Sequence, residues 1–132
     1  MRLVIVGCGR VGAMAALALS KAGHHVTVID NNRRAFDRLG SDFAGEMVLG
    51  NGIDEDVLRE AGIESADGFA SLTNGDNRNI MAAQIAQQIF KVPRVITRIY
   101  DPIREDVYRE LGLNTVCPTH SGVRQIHAML RG

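Results

Sequence analysis

The stretch V-I-V-G-C-G-R-V-G, residues 4–12, decides the fold of this chain. A short apolar run leads directly into a G-x-G-x-x-G turn that opens a helix. Gly7 permits the tight bend, Gly9 removes the side chain that would block a phosphate, and Gly12 lets the helix pack closely on the strand. The free N–H groups at the start of the helix face the anion, so the stretch predicts a pyrophosphate-binding turn.

Asp30 supports this interpretation. It ends a second apolar run, 26–29, and lies 18 positions after Gly12, near the spacing of the acidic residue that binds the adenosine ribose. Its charge would repel a 2′-phosphate, which favours NAD or ATP over NADP, although Arg33 and Arg34 at the start of the next helix weaken that inference. The alternative is a purely structural βαβ unit.

The rest of the chain repeats a strand-then-helix pattern about six times. Strands that alternate with helices form a parallel sheet, because parallel neighbours need crossover connections, and these are right-handed. We predict one α/β domain, a Rossmann-like, doubly wound parallel sheet of six strands in the order 3-2-1-4-5-6. The predicted strands are 3–6, 26–29, 46–49, 68–72, 95–99 and 115–117.

Apolar stripes predict the helices between these strands. One helix holds the stripe from Met81 to Ile89, with Asp76 as its expected N-cap. Two other stripes consist of Val11, Met14, Ala15, Leu17 and Ala18, and of Ile103, Val107 and Leu111.

The last segment, 119–130, predicts a terminal helix. Its apolar side holds Val123, Ile126, His127 and Leu130, and nothing that follows it in this sequence covers them. Such a helix either folds back on its own sheet or is exchanged, over about residues 120–130, with a second subunit.

Composition excludes several classes of function. The 132 residues are 45% hydrophobic and carry 15 basic and 15 acidic side chains, so there is no basic field to attract nucleic acid. No apolar run approaches the roughly 20 residues that cross a bilayer, and no G-x-x-x-x-G-K-[ST] loop of a P-loop ATPase occurs. We expect one soluble, cytoplasmic domain that neither binds nucleic acid nor inserts into a membrane.

In a doubly wound sheet the ligand lies across the C-terminal ends of the strands. Asn51 offers an amide donor and acceptor for an adenine edge, with Asp54 as a second acceptor, but both also fit simple turn formation. Thr73 and Asn74 follow strand four, where a terminal phosphate or the second half of a dinucleotide would lie, or where a helix simply begins. Arg98 ends strand five and offers a guanidinium group to phosphate oxygens.

The histidines and cysteines predict no catalytic residue and no metal site. None of the four histidines has a carboxylate at a spacing that suggests a base or a metal ligand. Cys8 and Cys117 have no C-x-x-C spacing, which argues against a zinc site or a disulfide framework. Cys8 lies at the predicted N-terminus of a helix, a position that lowers a thiol pKa, so a second hypothesis is that Cys8 responds to oxidants.

With these residues assembled, the chain resembles the N-terminal nucleotide-binding domain (RCK, KTN or TrkA-N domain) of the Trk-type potassium-uptake regulators. The resemblance covers nearly the whole length. The motifs that carry it are I-V-G-C-G-R-V-G at 5–12, V-I-D-N-N at 28–32, V-L-G-N-G-I-D-E-D-V-L-R-E-A-G-I at 48–63, L-T-N-G-D-N-R-N-I-M-A-A at 72–83, V-I-T-R-I-Y-D-P at 95–102 and L-G-L-N-T-V at 111–116.

The resemblance implies a cytoplasmic regulatory subunit, peripheral to the inner membrane, that binds NAD(H) or, alternatively, ATP or ADP. Such subunits form homodimers and larger rings and gate a membrane potassium transporter by a ligand-dependent change of shape. Family proteins usually carry a further C-terminal ligand-binding domain, so the chain is expected to be an excised half or a minimal member. The implied contacts are Gly7, Gly9, Arg10, Val11 and Gly12 for phosphates, Asp30 for ribose, Asn51 for adenine, and Thr73, Asn74 and Arg98 for the far end. Cys8, Asn31 and Asp54 are further candidate cofactor-binding residues beside them.

We therefore expect a regulatory module that is not an enzyme. A nicotinamide dehydrogenase also needs a place for its hydride partner, usually a second domain, and this sequence ends as the dinucleotide fold is completed. The alternative is an NAD-dependent oxidoreductase or dehydrogenase fragment. A regulatory output requires only that the ligand prefer one of two assemblies.

Overall fold

The structure, a computed structural model, describes all 132 residues. Its centre is a six-stranded parallel sheet with the order β3-β2-β1-β4-β5-β6. The predicted fold class and strand order are confirmed, and each strand end lies within one residue of its predicted place. The strands are β1 (Arg2–Val6), β2 (His25–Asp30), β3 (Glu46–Leu49), β4 (Gly68–Ser71), β5 (Arg94–Arg98) and β6 (Asn114–Val116).

Helical segments connect successive strands. The connection after β2 is a 3₁₀ helix, Arg33–Leu39, and a second 3₁₀ turn, Ile63–Ser65, precedes β4. No helix is both long enough and apolar enough to span a membrane. The α-helices are α1 (Arg10–Lys21), α2 (Glu55–Glu60), α3 (Asp76–Gln84), which continues as a π-helical turn (Ile85–Ile89), α4 (Pro102–Glu110) and α5 (Pro118–Arg131).

Apolar side chains fill both faces of the sheet. Val4 and Val6 of β1 face the cluster under α2 and α3, and Ile5, between them, faces the cluster under α1. This alternation follows from the two-residue period of a strand. Both faces of β1 are therefore buried, as its continuous apolar sequence predicts.

The buried side of α1 differs from the predicted stripe. Gly12, Ala13 and Ala16 are buried, whereas Val11 and Met14 are exposed. The reason is close packing: a Cβ on Gly12 would lie 1.8 Å from the Gly7 carbonyl oxygen. Only small side chains fit between α1 and the sheet at this distance.

Two further helices expose apolar side chains. Ile103, Val107 and Leu111, the predicted stripe of α4, are 76%, 51% and 72% exposed. No residue of α5 is buried. The terminal helix therefore does not fold back over its own sheet, and its exposed side includes Val123, Ile126, Met129 and Leu130.

Asp76 is not the N-cap of α3; Gly75 is. Its carboxylate instead accepts hydrogen bonds from the backbone N–H groups of Tyr100 at 2.7 Å and Asp101 at 3.1 Å. These bonds tie the start of α3 to the loop after β5, because the two lie side by side at one edge of the sheet. The loop is fixed next to the end of β4.

Candidate functional site

A cleft of about 430 Å³ opens at the C-terminal ends of the central strands. Strand order reverses here between β1 and β4, and such a crevice is the usual ligand site of a doubly wound sheet. Gly12 and Asp54 do not line the cleft, in contrast to the expectation from sequence. The other predicted residues do: Gly7, Cys8, Gly9, Arg10, Val11, Asp30, Asn31, Asn51, Thr73, Asn74 and Arg98.

Gly7 and Gly12 shape the glycine turn. Gly7 has a φ of +105°, which L side chains rarely adopt, and a Cβ there would lie 2.8 Å from the Thr73 nitrogen. The turn after β1 can therefore touch the end of β4 only if residue 7 is glycine. Gly12 in turn lets α1 lie against this turn.

Gly9 has a different role. A Cβ built on Gly9 would meet no atom within 4 Å. Gly9 is the N-cap of α1, and no side chain accepts the free N–H groups of the first helical turn. These donors, at the positive end of the helix dipole, therefore face open space that an anion such as phosphate fits.

Asp30 is half-buried at the end of β2 and is bonded to the glycine turn. Its Oδ2 accepts a hydrogen bond from the Cys8 N–H, and its Oδ1 accepts one from the Asn32 N–H, both at 2.8 Å. Each carboxylate oxygen can accept a second hydrogen bond. Asp30 therefore holds the turn in place and retains the capacity to bind ligand hydroxyl groups.

The premise of an oxidant-sensitive Cys8 is wrong. Its side chain is fully buried, and its Sγ donates to the Ala35 carbonyl oxygen at 3.3 Å. Burial, and then the negative charge of Asp30, raise the pKa of the thiol to about 11 against the opposing effect of Arg38. The thiol therefore stays protonated at neutral pH and is a poor nucleophile.

Asn51 and Asp54 separate into different roles. Asn51 is exposed at the cleft, and its Oδ1 accepts a hydrogen bond from the Ile53 N–H at 3.1 Å, which leaves its amide donors for a ligand. Asp54 is the N-cap of α2 and accepts hydrogen bonds from the N–H groups of Asp56 at 2.8 Å and Val57 at 3.4 Å. Asp54 thus caps a helix and lies outside the cleft.

A buried asparagine, Asn79 of α3, holds the far end of the cleft. Its Nδ2 donates to the carbonyl oxygens of Thr73 at 2.9 Å and Arg98 at 2.8 Å. Its Oδ1 accepts from the Thr73 N–H at 2.9 Å and from the Thr73 hydroxyl at 2.6 Å. The polar groups of Thr73 are thus engaged within the protein, as the helix-start interpretation predicts, while Asn74 is exposed beside it.

Arg98 has the clearest unmet bonding capacity. Its guanidinium lies 4.2 Å from the centre of the Tyr100 ring, a cation–π contact that orients the side chain. Its Nε is buried and has no hydrogen-bond partner. Buried donors without a partner are rare, so this Nε is able to donate a hydrogen bond to an acceptor such as a phosphate oxygen.

The comparison with known families agrees with this geometry. The profile of the TrkA-N domain family matches residues 3–119, which include every cleft residue and all of the sheet except Arg2. The chain belongs to the TrkA-N domain family. The resemblance stated from sequence motifs is confirmed.

Relatives of this TrkA-N domain carry Trk names. The chain is 54% identical over 116 residues to the Trk system potassium uptake protein TrkA of Streptomyces coelicolor, which is 88% of the chain and 52% of that protein. It is 34% identical over 111 residues to the TrkA homolog of Pyrococcus abyssi, which is 84% of the chain and 49% of that protein. The chain spans about half the length of these relatives.

Solved structures show the same fold at lower identity. The AMP-bound C-terminal domain of Kef from Shewanella denitrificans has a TM-score of 0.83 and 19% identity, over 100% of this chain and 82% of that chain. GsuK bound to ADP has a TM-score of 0.80 and 24% identity, over 98% and 33% of the two chains. The GsuK channel bound to NAD has a TM-score of 0.70 and 20% identity, over 89% and 21%.

Among the charged and aromatic residues that line the cleft of this TrkA-N domain, three were not predicted from sequence: Arg38, Arg78 and Tyr100. Arg38 lies in the 3₁₀ helix after β2, and its Nη1 donates to the Cys8 carbonyl oxygen at 3.4 Å. Arg33 and Arg34, the charges that the sequence offered to offset Asp30, do not line the cleft. An arginine in a surface helix looks ordinary in sequence, and only the path of the chain distinguishes Arg38 from its neighbours.

Two histidines have carboxylate partners that the spacing of residues along the sequence did not suggest. His120 Nδ1 lies 2.6 Å from Glu105 Oε1, and His25 Nε2 lies 3.7 Å from Glu46 Oε2. Both pairs join residues on different elements of the fold. Spacing along the sequence carries no signal for such contacts.

Proposed function

We propose that this TrkA-N domain is the nucleotide-sensing part of a Trk-type potassium-uptake regulator. Its proposed ligand is NAD or NADH, with ATP or ADP as the alternative. The observation that carries the proposal is that two anion-binding groups without partners line one cleft: the uncapped start of α1 at Gly9 and the buried Nε of Arg98. The Trk names of the relatives and the NAD-bound and ADP-bound forms of GsuK support it.

The chemistry of the cleft suggests where each part of the ligand binds. The backbone from Gly7 to Val11 would hold the phosphates, and Asp30, with Asn31 beside it, would bind the ribose hydroxyls. The free amide donors of Asn51 would face adenine. Arg98, with Arg78 and Asn74 nearby, would bind the terminal phosphate of ADP or ATP, or the second half of NAD.

Asp30 also favours a ligand without a 2′-phosphate. Its carboxylate would repel that group at the ribose position. Arg38 lines the same cleft and reduces this repulsion. We therefore propose a preference for NAD(H) over NADP(H) rather than strict exclusion of NADP(H).

The proposed output is a change in assembly, with no bond made or broken. The exposed apolar side chains of α4 and α5 suit contact with a second copy of the chain, with α5 exchanged between subunits. Ligand affinity that differs between two arrangements of the pair would shift their populations and so gate a membrane potassium transporter. In this proposal the protein is cytoplasmic and reaches the membrane through that transporter.

Isothermal titration with NAD, NADH, ATP, ADP and NADP tests the ligand class. We expect saturable binding of adenine nucleotides with a phosphate chain, and weaker binding of NADP than of NAD. A matched pair, ADP and 2′,3′-dideoxy-ADP, tests the role of Asp30 without altering the protein, and loss of the hydroxyls should weaken binding about tenfold or more. Absence of binding by all five nucleotides at millimolar concentration would refute the proposal.

Two measurements test the output. Sedimentation should show dimers of the full chain and monomers of the chain without residues 120–132. An unchanged profile after the deletion would eliminate helix exchange. A hydride-transfer assay with NAD and a panel of alcohols and 2-hydroxy acids tests the oxidoreductase alternative. Reproducible turnover that disappears on heating the protein would replace the regulatory proposal.

A further inference from the structure

Three side chains with metal-binding atoms meet outside the nucleotide cleft. Glu105 belongs to α4, Cys117 follows β6 directly, and His120 lies in the first turn of α5. A carboxylate oxygen, a sulfur and an imidazole nitrogen from these residues all lie within 4.8 Å of one another. Glu105 and Cys117 are only 4% and 3% exposed, and His120 is half-buried.

We propose that Glu105, Cys117 and His120 form a zinc site. Carboxylate oxygen, thiolate sulfur and imidazole nitrogen are the three donor types that zinc accepts in proteins, usually in a tetrahedral arrangement. Magnesium and calcium prefer oxygen donors alone, and copper(I) prefers softer sulfur-rich sets. Three protein ligands leave the fourth position for water.

The charges of this site balance. One carboxylate and one thiolate neutralise Zn²⁺, so the buried ligands hold no uncompensated charge, and the thiol proton leaves to solvent as the metal binds. The positive charge of Arg109 disfavours a zinc ion here, because Arg109 Nη2 lies 3.7 Å from Glu105 Oε1, the oxygen that would bind the metal. The same Nη2 lies 2.8 Å from Asp106 Oδ1, and the side chain is 55% exposed, so Arg109 has an alternative partner.

Zinc binding requires a small opening of the cluster. His120 Nδ1 and Glu105 Oε1 are 2.6 Å apart, whereas nitrogen and oxygen ligands of a tetrahedral zinc stand about 3.4 Å apart. His120 has room to move, because no residue of α5 is buried. Cys117 Sγ has only a weak bond to give up, to the Tyr100 carbonyl oxygen at 3.8 Å.

The carboxylate is already oriented. The Thr115 hydroxyl donates to Glu105 Oε2 at 2.6 Å, which leaves Oε1 directed at His120. An outer hydrogen bond of this type fixes a metal ligand and commonly raises metal affinity 10- to 100-fold. The bound metal would link α4, the end of β6 and α5 at one point.

Cobalt(II) is the spectroscopic probe for this site. The full chain, free of any histidine tag, is titrated with Co²⁺ under reducing conditions, and Zn²⁺ is then added. We expect a thiolate-to-cobalt absorption in the near ultraviolet that saturates at one metal per chain and disappears when Zn²⁺ displaces the cobalt. Zn²⁺ should also raise the midpoint temperature of unfolding, and EDTA should reverse this.

Variants separate the site from unspecific binding. Cys117→Ser should abolish the near-ultraviolet band, and His120→Gln should weaken Zn²⁺ affinity more than about 100-fold. His127→Gln is the matched control, since His127 is exposed on the same helix, and it should bind as the wild type does. Circular dichroism shows whether each variant is folded. No cobalt band in the wild type, or equal Zn²⁺ affinity in folded His120→Gln, would overturn the zinc site and leave only a hydrogen-bonded cluster.

Discussion

Gly9→Ala adds one methyl group where the glycine turn faces the cleft. The methyl would meet no protein atom within 4 Å, and the φ of −80° suits any residue. Alanine reduces the freedom of the unfolded chain, worth about 0.4–1 kcal/mol in favour of folding, but it is a poorer N-cap than glycine by a similar amount. We expect the free energy of unfolding to stay within about 0.5 kcal/mol of the wild type.

The same methyl occupies the space in front of the free N–H groups of α1. A phosphate at this place would lose at least one hydrogen bond to a charged acceptor, worth about 1.5–3 kcal/mol. The affinity for ADP or NADH should therefore fall about 10- to 150-fold. Gly9→Ala should thus impair binding and leave folding almost unchanged.

Urea unfolding without ligand and titration calorimetry with ADP and NADH measure the two effects separately. Gly12→Ala is the matched control, because its Cβ would lie 1.8 Å from the Gly7 carbonyl oxygen and should destabilise the chain by at least about 2 kcal/mol. A folded Gly9→Ala protein that binds both nucleotides like the wild type would refute the placement of phosphate at this turn.

Three further predictions concern buried groups. Arg98→Met removes an unpaired buried Nε, so thermal unfolding should show unchanged or higher stability, while calorimetry should show at least tenfold weaker ADP binding. A variant that loses both thermal stability and ADP affinity would contradict the role of Arg98 in phosphate binding. Asn79→Ala breaks four hydrogen bonds and should cost about 3 kcal/mol in urea unfolding; a loss under 1 kcal/mol would count against it. The free energy of unfolding should fall between pH 9 and 11, where the unfolded chain loses the Cys8 proton and the folded chain keeps it. Between pH 8 and 10.5, the free energy of unfolding of Cys8→Ala should fall by about 2 kcal/mol less than that of the wild type. Equal pH dependence of the two proteins would contradict the raised pKa of Cys8.

The backbone of the site could be predicted from sequence because its signals are local. The glycine turn requires glycine at defined positions, and Asp30 follows a strand that a short apolar run reveals. Since parallel strands place their C-terminal ends at one edge, the positions of Asn51, Thr73 and Arg98 follow from the strand order alone. These positions depend on the chain path and not on side-chain contacts.

The partners of individual side chains could not be predicted. Asn79 lies in a polar stretch at the start of a helix, where asparagine is usually exposed, and its burial depends on the ends of β4 and β5 lying beside it. Ile103 and Val107 follow a helical stripe that usually faces a core, but here they are exposed. His120 and Glu105 are 15 residues apart and meet only in the folded chain.

The Asn79 hydrogen bonds have a consequence for binding energetics. They hold the carbonyl groups of Thr73 and Arg98 in place before any ligand arrives, so this half of the cleft is preorganised and its ordering adds little entropic cost to association. Asn31, Asn51 and Arg10 are exposed on the opposite half and lose rotamer freedom only when a ligand contacts them. Differences in affinity among adenine nucleotides should therefore contain a large entropic part that originates on the β2–β3 side of the sheet.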